Sequence, residues 1–200
     1  MSELRELSLA AFGDALASGA ATPGGGSAAA LAGSLAGGLV AMVARLTDGM
    51  AEIADEADGL RLDLLALVDE DVHAFDEVMA AFTLPKETEE QKATRSQAIQ
   101  EGYRSATETP LRVCSSALRV LELAEQVAVR GNPNAVSDAG VAALLAETAV
   151  AGAALNARIN LGSIKNEEYR SERLRHVAST EAHALALREG VLAAVTAKLG

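Results

Sequence analysis

The 200-residue chain has no tryptophan and only three phenylalanines and two tyrosines. Sandwiches and barrels fill a pleated core with aromatic and β-branched side chains, so an apolar content of 50% carried mainly by alanine and leucine excludes an all-β fold and argues for helices. Cysteine is nearly absent. The single Cys114 excludes an intrachain disulfide and a multi-thiolate metal site, and it suits a reducing, cytoplasmic setting. Bases are scarce as well: 17 Lys and Arg against 28 Asp and Glu leave a net charge of −11. That balance argues against nucleic acid and against an anionic membrane surface as partners. No targeting segment is visible at the start, where residues 1–20 mix acids, bases and apolar residues. The uncharged run Ala28 to Ala44 is short for a membrane span and weakly hydrophobic, and it reads better as a buried helix of a soluble bundle.

What is present is helical periodicity. The spacing of apolar residues predicts helices over about 3–18, 26–46, 51–83, 87–107, 109–130, 137–162 and 166–199, with no strand. Short breaks separate them at Thr22 to Gly26, Thr47 to Gly49, Leu84-Pro85, Thr109-Pro110, Gly131 to Asn134 and Gly162. No linker is long enough to divide the chain. The expectation is one all-α domain over 1–200, an up-and-down multi-helix bundle that dimerises, because a helix as uniformly apolar as Ala28 to Ala44 is hard to cover within one subunit. Gly33, Gly37 and Gly38 would then permit close helix contact in that seam.

Charge is unevenly distributed. Ala51 to Glu77 holds ten acids against one base, Arg61, and most of the acids read as a solvated helix face. Asp71 does not. At 100° per residue, Ile53, Leu60, Leu64, Leu67, Phe75, Val78 and Phe82 all fall within about 40° of it, so a carboxylate stands inside the apolar stripe. A buried carboxylate is costly unless bonded or neutralised. Asp71 is therefore either a catalytic or ligand-binding residue or an internal cap and interhelical hydrogen-bonder. His73, about 200° away, falls on the polar face.

Two turn motifs adjoin helices. Pro23-Gly24-Gly25-Gly26-Ser27 enters the small-residue helix, and its glycines could adopt backbone angles closed to other residues and turn N–H groups toward a ligand; a tight turn with close helix packing explains the run equally. Gly131-Asn132-Pro133-Asn134-Ala135-Val136-Ser137-Asp138-Ala139-Gly140 opens a later helix, where Asn134, Ser137 and Asp138 are also ordinary capping residues. Asp138 shares a face with Asn156 and Asn160. About 27 Å of helix separates Asp138 from Asn156, so the two ends cannot serve one small reacting centre. The two asparagines could line a cleft or bond between helices.

Together these blocks resemble the cyclodeaminase/cyclohydrolase family of folate enzymes. The resemblance is carried by Thr22 to Ala30, Asp71 to Phe75, Leu84-Pro85-Lys86, Gly131 to Gly140 and Asn156 to Leu161, in order, from about Phe12 to Glu168. It implies an all-helical homodimer that acts on tetrahydrofolate derivatives as substrates, with no prosthetic group and no metal. It also implies either cyclisation of 5-formiminotetrahydrofolate to the 5,10-methenyl form with loss of ammonia, taken as the main reading, or hydrolysis of the methenyl bridge. The chain has no room for a formiminotransferase module, so a separate formiminotransferase is a further partner the resemblance allows. A non-catalytic folate-binding or scaffold bundle is the third reading.

Either reaction needs protons moved near neutral pH, for which a carboxylate in partly apolar surroundings suits; Asp71 is the first candidate and Asp138 the second. Pro23, Gly24, Gly25, Gly26, Ser27, Asn134, Ser137, Asn156 and Asn160 are the candidate substrate contacts. The carboxylates of a folate tail need a local base. Lys86, beside Pro85 where the acidic helix ends, is preferred over Arg95 and Lys92, which could simply pair with neighbouring acids. Arg158 points to another face and could serve a partner subunit.

Overall fold

A computed structural model of the chain describes residues 3–200. Among these residues the fold is six α-helices and no strand: α1 (Leu9–Leu16), α2 (Gly25–Arg45), α3 (Ala51–Phe82), α4 (Glu89–Arg130), α5 (Val136–Gly162) and α6 (Glu167–Leu199). Short connections make the long helices run up and down in turn. α5 is central, packed against α2, α4 and α6, while α3 lies across α2 and α4.

Small residues set how closely these helices approach. A methyl on Gly33 would stand 3.1 Å from the Leu64 side chain and 3.3 Å from Ala149 Cβ, and one on Gly37 would stand 3.1 Å from Arg61 Cβ. Gly152 meets Ala29 in the same way, at 3.1 Å. These contacts correct one expectation: Gly33 and Gly37 serve packing of α2 on α3 and α5 inside the subunit. Only Gly38 borders an exposed hollow, with Leu31, Leu35, Leu39 and Leu145 around it. Gly25–Arg45 and Pro133–Gly162 are both long and apolar enough to cross a membrane, yet about half or more of each apolar stretch is buried within the bundle.

Two helix boundaries differ from the sequence pattern. The expected helix over 3–18 is interrupted, because the Ser8 hydroxyl accepts the Ala11 N–H at 3.2 Å and starts α1 afresh. Residues Leu4–Glu6 form only a 3-10 turn, tied to α3 by the Leu4 N–H donating to buried Asp69. The second difference is larger. The expected break at Thr109-Pro110 does not occur, and α4 runs straight through Pro110 for 42 residues. Proline has no N–H to give the carbonyl four residues earlier, here that of Ala106. Asn160 of α5 supplies the missing donor: its Nδ2 donates to the Ala106 oxygen at 2.8 Å. An interhelical side chain thus repairs the ladder that Pro110 opens.

Candidate active site

α2 begins without a side-chain cap of its own, since its N-cap is Gly24. The first N–H groups of any helix lack intrahelical partners and carry positive potential. Here a carboxylate from α3 answers them. Asp71 Oδ2 accepts the Ser27 hydroxyl at 2.9 Å, beside the first turn of α2. The approach is so close that a Cβ on Gly26 would stand 2.1 Å from Asp71 Oδ1. None of Gly24, Gly25 and Gly26 has positive φ, so the glycine run is not needed for unusual backbone angles. Gly26 is needed for its missing side chain. Gly25 is less constrained, because a methyl there would meet only Asn156 Nδ2 at 3.6 Å.

Burial raises the Asp71 carboxyl above the ordinary aspartate value, and hydrogen bonding by Ser27 opposes that rise less strongly. The folded protein therefore holds this proton to higher pH than the unfolded chain does. Asp71 consequently weakens the fold as pH climbs through the window between the two values. The same shift suits proton transfer nearer neutrality.

Asp71 opens into a cavity of about 330 Å³ between α3, α4, α5 and the entry to α2. Gly24, Gly25 and Gly26 form one wall, Asn156 and Asn160 another, and Phe75, Val78, Met79 and Tyr103 an apolar side. Asn156 Nδ2 donates to the Gly152 carbonyl at 2.9 Å and Asn160 Nδ2 to the Ala106 carbonyl, so each amide spends one of its two N–H donors within the protein and leaves its oxygen without a protein partner. The cavity thus offers a carboxylate and amide acceptors beside apolar surface, an arrangement suited to a flat cationic or donor-edged ring. Ser27 stands behind Asp71, fully buried, and Pro23 is buried in the preceding turn.

The structure does not bring the other candidates here. The Gly131 to Asn134 turn is tied to the C-terminal end of α2: the Asn132 N–H donates to Thr47 Oγ1 at 2.9 Å and its Nδ2 to the Leu46 carbonyl at 3.1 Å. Leu46 lies 19 residues beyond Ser27, about 29 Å along the helix. Asn134, Ser137 and Asp138 therefore sit at the opposite end of the subunit from Asp71. Nor do they cap α5, whose N-cap is Ala135; Asn132 caps the turn by accepting the Asn134 N–H at 3.0 Å. Lys86 is exposed on the α3–α4 loop and does not line the cavity. Lys92 pairs with Glu89 at 2.7 Å. Arg158 is held inside the subunit by Glu181 of α6. His73 is exposed, as its position on α3 predicts.

Tyr103, Met79 and Ile159 are cavity residues that the sequence pattern did not mark. Tyr103, Ala106 and Pro110 recur at intervals of three and four, a helical signal that continuing α4 through the proline would have extended. Among the described residues, no group of three His, Cys, Asp or Glu side chains stands close enough to hold a metal ion.

Comparison with known proteins identifies relatives of this chain. The family model described as formiminotransferase-cyclodeaminase matches residues 8–179. A methenyltetrahydrofolate cyclohydrolase of Methylorubrum extorquens is 41% identical over 94% of this chain and 95% of its own length. The formimidoyltransferase-cyclodeaminase of Rattus norvegicus is 34% identical over 88% of this chain, which spans only 34% of that longer protein. A crystal structure of formiminotetrahydrofolate cyclodeaminase from Thermotoga maritima superposes with a TM-score of 0.88 at 28% identity, covering 99% of this chain and 100% of that one. On a family match that spans most of its length, carried by a helical bundle of the same shape, this chain belongs to the formiminotransferase-cyclodeaminase family.

Proposed function

We propose that this chain is a methenyltetrahydrofolate cyclohydrolase, opening the 5,10-methenyl bridge of its folate substrate with water. The observation that carries the choice is the 41% identity to the Methylorubrum cyclohydrolase across nearly the whole of both chains. The main expectation from sequence, cyclodeaminase, becomes the second reading. It is favoured by the fold match to the Thermotoga enzyme and by the rat relative.

The cavity chemistry suits either. The methenyl bridge is a cationic amidinium, and the half-buried carboxylate of Asp71 with the oxygens of Asn156 and Asn160 favours positive charge beside it. Asp71 takes a proton from water as the water oxygen bonds the bridge carbon, giving a tetrahedral adduct between N5 and N10. That proton then goes to N5 as the carbon–N5 bond breaks. The second water proton leaves to solvent as the carbonyl forms, and the formyl group remains on N10. In the deaminase direction N10 is the nucleophile and ammonia the leaving group, so a separate formiminotransferase supplying the substrate belongs to that reading alone.

A homodimer is part of the same proposal. Its support is an apolar stripe along the outer faces of α2 and α5, from Leu35, Met42 and Leu46 to Leu144, Leu155 and Ile159, the last two being 65% and 76% exposed. Light scattering at micromolar concentration is expected to return twice the mass of one chain; a stable monomer overturns the dimer.

The reaction is tested by giving the purified protein both folates and following ammonia separately from loss of the methenyl chromophore. The expected result is bridge hydrolysis without ammonia release from the formimino compound. Faster ammonia release would replace the proposal with the second reading.

A further inference from the structure

Beyond Asp71 the same face of α3 continues outward. Phe75, Val78 and Phe82 lie within about 40° of Asp71 at 100° per residue. Leu64 and Leu67 earlier on this face are buried, but Phe75 and Phe82 are 39% and 41% exposed, so the stripe opens to solvent where it leaves the cavity. Phe82 meets Tyr103 of the cavity wall edge-on, with ring centroids 6.3 Å apart. Arg95 of α4 ends this strip. Its guanidinium stands 5.4 Å over the Phe82 ring, and its Nη2 donates to the Phe82 carbonyl at 3.1 Å.

Arg95 is unlike the other bases nearby. Lys92 is paired with Glu89, and Lys165 donates to Ser96. Arg95 is half-buried, makes no ion pair among the described residues, and has Nε and Nη2 turned inward to Phe82, which leaves Nη1 with both its hydrogens free. In a chain of charge −11, a cation fixed in place without a carboxylate is an anion receptor in waiting. Eleven residues of helix, about 16 Å, separate Phe82 from Asp71.

We propose that Arg95 receives the carboxylate at the far end of an extended substrate, whose reacting end lies at Asp71 and whose aromatic middle rests on the Phe75, Phe82 and Tyr103 strip. Resting on the folate reading above, that carboxylate belongs to the glutamyl tail. This assignment replaces Lys86, which lies free on the loop.

The test compares 5,10-methenyltetrahydrofolate with 5,10-methenyltetrahydropteroate, which has the same bridge and rings but no glutamate. Wild-type protein is expected to show a lower KM for the folate. Arg95→Ala is expected to raise that KM about 10- to 100-fold, the range of one charge-assisted hydrogen-bonded contact, with kcat nearly unchanged and the pteroate unaffected. Arg95→Lys should recover part of the loss, since it keeps the charge without the fork. Arg95→Gln, able to keep the bond to Phe82, should not. Equal losses on both substrates, no loss, or a loss that follows Lys86→Ala instead would overturn the subsite. Equilibrium binding of tetrahydrofolate and tetrahydropteroate separates this from the reaction itself. Tail-dependent, Arg95-dependent binding without turnover keeps the subsite and overturns the cyclohydrolase, whereas no binding of either overturns both.

Discussion

Asp71→Asn is expected to lower turnover by about 10²-fold or more while the bundle still folds. Asparagine keeps the size of the side chain and an oxygen for the Ser27 hydroxyl, now 2.9 Å away, but it can no longer take or give a proton. Stability supplies a second, independent readout. Because the folded-state pKa of Asp71 is raised, wild-type stability carries a component that declines as pH rises above the ordinary aspartate range. The asparagine variant lacks that component, so its melting temperature should gain on wild type as pH increases through that window. His73→Ala, exposed on the other side of α3, should leave both measurements unchanged. Full activity in Asp71→Asn would remove it as the acid/base. Tyr103, whose phenol lies on the cavity wall, would then be the next candidate, ahead of Asp138 at the far end of the subunit.

Gly26→Ala should be nearly as damaging, and for a geometric reason. The added methyl would fall 2.1 Å from Asp71 Oδ1 and 2.6 Å from its Cγ, so either the carboxylate leaves the α2 N-terminus or α2 and α3 move apart. Overpacking of this kind costs about 1–3 kcal/mol, and the displaced Asp71 should bring activity toward that of Asp71→Asn. Thermal melts and turnover measured together check this. Gly25→Ala is the comparison, because its methyl rests in ordinary contact with Asn156 and should leave folding intact. Wild-type stability and activity in Gly26→Ala would mean that the carboxylate does not depend on the bare backbone beneath it.

How far the sequence discloses this site depends on whether the deciding contact is local. Asp71 is legible because helical periodicity alone sets it among Leu64, Leu67 and Val78, all of them buried. Gly26 is only half legible: three consecutive glycines announce a special turn, but which one matters is decided by a carboxylate 45 residues later. The course of α4 is hidden altogether, since Pro110 is a valid stop signal until Asn160 is folded against Ala106. Distance from Asp71 is just as illegible at Asn134, Ser137 and Asp138, which the fold places at the other end of the subunit. A turn that opens a helix and ties down its neighbour uses the same small polar residues as a binding site, and composition does not separate the two.

The contact between Asn160 and the Ala106 carbonyl couples two properties that look unrelated. Position 160 helps set the polarity of the cavity, and position 110 sets the continuity of α4; yet the amide that lines the cavity is the one that completes the helix. An alanine at 160 would remove a cavity acceptor and strand a main-chain oxygen at once, whereas beside a non-proline residue at 110 the same change would touch only the cavity. Residues 110 and 160 are therefore coupled through one main-chain oxygen, and replacing Pro110 by alanine, which restores the N–H, is expected to relieve the stability cost of Asn160→Ala in a double-mutant cycle.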